Sequence, residues 1–270
     1  MTVRSPTVTS TFVAVRPHRD DGDGGTSNIV TEDINFTLVT DPPVAVDDAF
    51  SVDEDSVLNT APADWWNANW QNRLQLTFAT PPTSPLTDVP VLVKLDATRI
   101  DYSQVQDAGQ DLRFIDADGS TVLAYEIEEW NEGGTSYVWV KVPQIDTSGT
   151  DFITLYYGNE SAPDAQSAGA VWSSGYEGVW HLKDDFANST NRPYGDATNA
   201  GTADAAGQLA DGQSFSGVSD HLDLGQTAII DGTTPFTVSA WVYVDQVTGT
   251  SDQMTIYSRY DAAGSAGSFG

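Results

Sequence analysis

Residues 111–143, DLRFIDADGSTVLAYEIEEWNEGGTSYVWVKVP, decide the fold class. Leu112 and Phe114 alternate with polar neighbours, and Asp116-Ala-Asp118-Gly119 then supplies residues that tolerate turn geometry. Residues 122–130 form a second run, rich in apolar and aromatic side chains, which Asn131-Glu-Gly-Gly134 interrupts. A third run covers 137–142, and Pro143, with no N–H to donate, is expected to stop the ladder. Period two then assigns faces. Leu123, Tyr125 and Ile127 share one side of the second run, and Glu126 and Glu128 the other. In the third run Val138, Val140 and Val142 oppose Tyr137, Trp139 and Lys141. The valines are expected inward with Leu123, Tyr125 and Ile127, leaving Trp139 on the glutamate face. Such a meander is stable only with more strands beside it or a second sheet behind it. Runs at 73–78, 89–95 and 153–157 are the strands that would supply them, so the stretch reads as the centre of an all-β sandwich.

Composition narrows the class further. Acidic residues outnumber basic ones 39 to 11, for a formal charge of -28, and the acidity runs along the whole chain. A field of that sign repels nucleic acid and anionic membrane surfaces and attracts cations such as Ca²⁺. Cysteine is absent, which excludes disulfides and thiolate chemistry. No run approaches the ~18 apolar residues of a membrane span, and residues 1–20 lack the apolar core of a signal peptide. Ten Tyr, ten Phe and eight Trp fit β-rich packing.

Several blocks resemble known families. Asp21-Gly-Asp-Gly-Gly25, Pro43-Val-Ala-Val-Asp-Asp48 and Val52-Asp-Glu-Asp55 resemble the junction between tandem cadherin-like repeats of large bacterial surface proteins, although the expected new repeat stops near Thr60. That resemblance implies carboxylates able to hold Ca²⁺, since hard cations take several oxygen ligands. Asp21, Asp23, Asp47 and Asp48 are the candidates there. The sequence WWNANWQNRLQLTF at 65–78, the 111–143 stretch and ITLYYGN at 153–159 resemble a bacterial domain of unknown function that accompanies concanavalin-like modules in secreted and surface proteins. It implies a β-sandwich with no established catalytic residue. Beyond a small-residue linker at 158–163, the blocks at 178–182 (GVWHL), 211–217, 221–225 and 236–244 (FTVSAWVYV) resemble a laminin-G/concanavalin-A-like jelly roll. A full jelly roll needs about eight strands, and only about half of them are expected here. Short strands are expected at 178–182, 236–244 and 254–258, with a long loop at 184–207.

The candidate chemistry is sparse. Glu126 and Glu128, two apart on a strand, place their Cβ atoms roughly 6.5–7 Å apart, between the usual retaining and inverting glycosidase spacings. Trp139 would lie nearby as a sugar platform. The laminarinase-type signature Glu-x-Asp-x-x-Glu is not met, because position 128 is Glu and position 131 is Asn. No Gly-x-Ser-x-Gly elbow and no His-Glu-x-x-His helix occurs, and His18, His181 and His221 stand far apart in sequence. Asp220 and Asp223, flanking His221, are further Ca²⁺ candidates. The expected organisation is a cadherin-like remnant at 1–60, a sandwich at 61–172 and a truncated jelly roll at 173–270. The expected role is a non-catalytic adhesion or carbohydrate-binding segment on the bacterial cell surface, with a glycan or another surface protein as partner. An accessory region of a secreted glycan-degrading enzyme and a plain structural spacer are the alternatives.

Overall fold

The computed structural model describes residues 65–183, 185–192, 195–216, 219–225, 235–244 and 256–260, with backbone alone at 8–12, 32–36, 259–260 and 266–269. Among the described residues the chain is all-β: fifteen strands, one 3₁₀ turn and one four-residue helix. No helix among them is long and apolar enough to cross a membrane. Strands β1 (Val8–Phe12) and β2 (Glu32–Phe36) form an antiparallel hairpin ladder. The described residues fall into two compact units, one ending at Ser174 and the other beginning at Gly175.

The first unit contains a two-sheet sandwich. Its strands are β3 (Asn72–Thr77), β4 (Leu86–Leu95), β5 (Arg113–Asp116), β6 (Val122–Leu123), β7 (Tyr125–Glu129), β8 (Ser136–Ile145) and β9 (Phe152–Tyr157). One sheet has the order β3-β9-β5-β6 and the other β4-β8-β7, all antiparallel. The 111–143 stretch is therefore not one meander, as alternation alone suggests. Its middle run changes sheets at Ala124, whose carbonyl accepts from the Lys141 N–H at 2.9 Å. Strands that switch sheets in this way make the corners of sandwiches. The inward face survives the switch: Leu123 and Tyr125 are buried, and Ile127 packs against the same core.

Pro143 also departs from expectation, because β8 runs on to Ile145, paired with Leu86 of β4. The reason is direction. The Lys141 N–H points to the β7 side, so two residues later the missing N–H of Pro143 points the same way, where β7 has already left the ladder. Pro90 lies on the edge strand β4 opposite Lys141, so the donor it lacks would face solvent rather than β8.

The core between the sheets joins Leu74, Leu76, Val91, Val93, Phe114, Val138, Val140, Val142, Ile153 and Leu155, with Tyr125 tilted against Phe114 at 5.5 Å. Two tyrosines are exceptions to an apolar interior. Tyr102, at the 3₁₀ turn Tyr102–Gln104, satisfies its hydroxyl at the Leu95 carbonyl (3.0 Å) beside Ser136 Oγ (2.9 Å). The Tyr125 hydroxyl is buried beside the Ala165 backbone without a hydrogen bond of ordinary geometry among the described residues.

The second unit contains three strand pairs. Strands β10 (Thr198–Ala200) and β13 (His221–Asp223) pair, as do β11 (Ala203–Ala206) and β12 (Asp211–Ser214), and β14 (Tyr257–Tyr260) and β15 (Ala266–Phe269). The long loop expected at 184–207 thus contains β10 and β11. The strand expected at 178–182 is irregular, and 236–244 joins no sheet among the described residues. In the latter, Trp241 and Tyr243 stay exposed. Alternation records a two-sided environment, but a strand forms only where a ladder partner lies alongside.

Two outcomes test this packing. Val140→Asp puts an unpaired charge into the core centre and is expected to prevent folding, whereas Trp139→Ala, at a half-buried site, costs about 2 kcal/mol. Comparable losses in urea unfolding would overturn the face assignment. Burial pushes the Tyr125 phenol up to about 12, with opposing help from Arg113, and burial raises Tyr102 and Tyr157 as well. An unfolded tyrosine ionises near pH ~10. Between pH ~10 and ~12 the unfolded chain therefore binds fewer protons than the native one, so stability falls as pH rises, by up to roughly 3 kcal/mol for Tyr125. Tyr125→Phe is expected to flatten that decline without loss of stability at pH 7, as read by chemical denaturation.

Candidate functional site

The sequence-derived candidates lie on the outer face of the three-stranded sheet. Glu126 pairs across the ladder with Trp139, and a β-bulge follows, with Ile127 opposite Val138 and Glu129 opposite Tyr137. A bulge sets two residues against one, so strict alternation fails at Glu128. Both carboxylates nevertheless serve this face as acceptors. The Trp139 indole N–H donates to Glu128 Oε2, and the Trp172 indole N–H donates to Glu126 Oε2 at 2.5 Å. The two indoles meet edge to face at 5.1 Å. Helix α1 (Ala168–Val171) brings Trp172 into place, and Lys141 Nζ donates to Ser173 and Ser174 (2.8 Å each) and pairs with Asp88 at 3.4 Å. Trp139 is thus half-covered by Trp172, and each glutamate has one oxygen engaged by an indole N–H. The arrangement fastens the 168–174 segment to the sheet.

Of the cation candidates, Asp220 and Asp223 lie among the described residues, and their carboxylates serve separate turns. Asp21, Asp23, Asp47 and Asp48 lie outside the described residues, as does His18. Asp220 Oδ2 accepts from the Ser216 N–H at 2.6 Å, and the hydrogen bonds from Ser216, with help from His221, hold its carboxyl below the ordinary carboxylate range. Asp223 Oδ1 accepts from the Gly225 N–H at 2.8 Å. Each carboxylate serves its own turn. No group of three or more His, Cys, Asp or Glu poised for a metal stands together among the described residues. Asp220 and Asp223 alone would supply only part of a six- to eight-oxygen calcium shell.

A different site is assembled on the outer face of the four-stranded sheet. Trp65, Trp66 and Trp70 fold back over β9 and β5, where Trp70, Ile115, Tyr156 and Ala162 form a second apolar cluster. Trp66 lies 5.0 Å from Trp70 and 5.7 Å from Tyr156, and Trp65 meets Tyr156 edge-on at 5.5 Å. The Arg113 guanidinium stacks 5.3 Å from Trp70.

Beneath this layer lies Asp111, fully buried. Its Oδ1 accepts from the Gln106 N–H (3.0 Å), and its Oδ2 from the N–H groups of Gly158 (2.7 Å) and Asn159 (3.0 Å). Its backbone carbonyl accepts the Trp70 indole N–H at 2.6 Å. Gln106 Nε2 reaches the carbonyls of Asn159 and Ala162, and Arg113 Nη2 that of Pro163 at 2.6 Å. Residues 158–163, expected as a linker, are therefore bound down along their length. Gly158 is required at their start: its φ is +91°, and a Cβ there would stand 2.6 Å from Asn72 Nδ2.

Between the two segments opens a solvent-facing cleft of about 500 Å³, lined by Asn67, Asn69, Trp70, Asn159, Ser161, Ala162 and Pro163. Its polar lining is amide and hydroxyl, with no ionisable side chain. Neither the three tryptophans nor Asp111 stands among the candidates that the sequence puts forward. The available signal was the Asp-Leu-Arg triplet, in which two charges share the face opposite the core residue Leu112.

Residues 108–193 match the family model of a domain of unknown function (DUF2341). The match takes in Asp111, the 158–163 wall and the Glu126/Trp172 face, and it leaves out Trp65, Trp66 and Trp70. No curated protein and no solved structure matches the chain.

Asp111→Ala would strand three backbone donors at once. It is expected to destabilise the unit by roughly 3–5 kcal/mol in urea unfolding, with a shift in tryptophan emission as the 65–70 layer loosens. A loss under about 1 kcal/mol would show that the carboxylate does not hold the walls together.

Proposed function

We propose that this chain is a non-catalytic, extracellular adhesion or carbohydrate-binding segment of a large bacterial surface protein, and that its ligand site is the cleft between residues 67–70 and 159–163. The cleft's construction carries this reading. A buried carboxylate, a buried arginine and a glutamine are all spent on fixing two loops around an open, uncharged, amide-rich groove with an indole in its wall. Binding sites combine apolar surface with a few placed polar groups, and preorganised loops lose less entropy on binding. Sugars match that combination, with hydroxyl edges for the amides and C–H faces for the aromatic and prolyl surface.

The flanking resemblances supply the setting. A cadherin-like junction before the sandwich and a laminin-G/concanavalin-A-like segment after it would place the module in a secreted, multi-module protein. Calcium would enter at the junction carboxylates rather than in the cleft. The engagement of Glu126 and Glu128 by indole N–H groups supports the non-catalytic part of the reading.

The test is a glycan panel probed with the full chain, with and without Ca²⁺, alongside Asn67→Ala/Asn69→Ala. Binding to at least one glycan, weakened tenfold or more by the double substitution, is the expected outcome. Binding to none, or binding that the substitutions leave unchanged, overturns the proposal.

A further inference from the structure

The amide groups in the cleft are not free to present either end. Asn67 Oδ1 accepts from the Asn69 N–H at 3.0 Å, and Asn159 Oδ1 accepts from the Ser161 N–H at 3.1 Å. A backbone N–H can only donate, so each contact fixes which end of the side-chain amide is oxygen. Each of these oxygens keeps one lone pair, while each Nδ2 keeps two donors, so Asn67 and Asn159 together offer more donors than acceptors. That balance favours a ligand that brings acceptor oxygens.

Charge removes one class of acceptor. The lining has no cationic side chain, exposed Glu160 stands in the same loop as Asn159, and the chain carries a net charge of -28. Arg113 lies behind Pro163, but its guanidinium is buried and donates to the carbonyls of Gln110, Leu112 and Pro163. An anionic sugar meets a repulsive field and no direct cation. Besides Asn69 and Ser161, the rest of the lining, Trp70, Ala162 and Pro163, is apolar and lies beside the donors. A neutral carbonyl with a methyl group attached satisfies both surfaces, because the oxygen takes the amide N–H and the methyl takes the apolar wall.

We infer that the cleft selects uncharged glycans carrying acetamido groups, such as N-acetylhexosamine chains, over unmodified and over anionic ones. This rests on the cleft being the ligand site proposed above. A sugar hydroxyl can also accept from the Nδ2 groups but brings no methyl for the apolar wall, whereas an acetamido group supplies both the acceptor and the methyl.

Calorimetric titration of the full chain with the N-acetylglucosamine tetramer, the glucose tetramer of the same β-1,4 linkage, and a galacturonate tetramer tests it. The N-acetylated tetramer is expected to bind at least tenfold more tightly than the glucose tetramer, with no uptake of the galacturonate. Asn159→Asp keeps the oxygen that Ser161 donates to and removes the Nδ2 donor. It is expected to weaken the N-acetylated ligand tenfold or more at an unchanged melting temperature, and Asn67→Asp provides the same measurement on the opposite wall if the first variant folds poorly. Equal binding of the two neutral tetramers, both sensitive to the substitutions, overturns the acetamido preference while leaving the cleft as a glycan site. Binding that neither substitution alters, preference for galacturonate, or no uptake of any tetramer overturns the inference.

Discussion

The buried carboxylate of Asp111 is the contact on which one whole side of the sandwich depends. It accepts three backbone N–H groups from two separate loops, while its own backbone carbonyl holds an indole N–H from a third segment. Taking a carboxylate out of water costs several kcal/mol unless its lone pairs are filled. Asp111 fills them with backbone donors that would otherwise have no ladder to join, since 158–163 lies past the end of β9 and Gln106 past the 3₁₀ turn. One desolvation cost thus resolves several others. An apolar residue of similar size would leave those donors orphaned, so the polar solution is tied to the shape of the loops.

The inward residues were legible in sequence because period two is a local property. The faces of β7 and β8, with Val138, Val140 and Tyr125 inward and Trp139 outward, follow from alternation alone. Sheet membership does not, because it depends on which distant strand lies alongside. The run at 122–129 keeps one inward face yet belongs to two sheets, since bending at Ala124 leaves parity intact. Pro143 misleads for a related reason: a missing N–H matters only if a neighbour needs it, and the neighbour on that side is gone. The bulge at Glu128 likewise has no mark in composition. The cleft was hidden more deeply, because Asp111 and Arg113 are charged residues buried under cover contributed by Trp70, some forty residues upstream, and Pro163, fifty downstream. In the second unit, 236–244 has the clearest alternation of that unit and no ladder among the described residues.

The two outer faces of the sandwich show one device with different results. On each, a segment flanking the strands folds back and lays tryptophans on the sheet, with the indole N–H groups given specific acceptors. Residues 65–70 cover the four-stranded sheet, where Trp65 donates to the Trp70 carbonyl and Trp70 to that of Asp111. Residues 163–174 cover the three-stranded sheet, and on the way Gln166 and Ser167 hydrogen-bond to Ile127 and Tyr125, shielding the open edge of β7. Both cores are thereby sheltered by parts of the chain that carry little regular structure.

The difference between the faces lies in the acceptors. Over the three-stranded sheet they are carboxylates, Glu126 and Glu128, and each has one oxygen engaged by an indole N–H, which ties the layer to the sheet. Over the four-stranded sheet the acceptors are carbonyls, and the charged groups, Asp111 and Arg113, are sunk beneath the layer and satisfied from the backbone. What remains at the surface there is neutral amide and hydroxyl beside apolar wall. A chain this acidic repels anions almost everywhere and attracts cations without much discrimination. A cleft cleared of ionisable side chains is the place on such a surface where recognition can rest on hydrogen-bond direction and shape. The amide-lined cleft, rather than the glutamate pair that the sequence puts forward, is therefore the site we propose for a ligand.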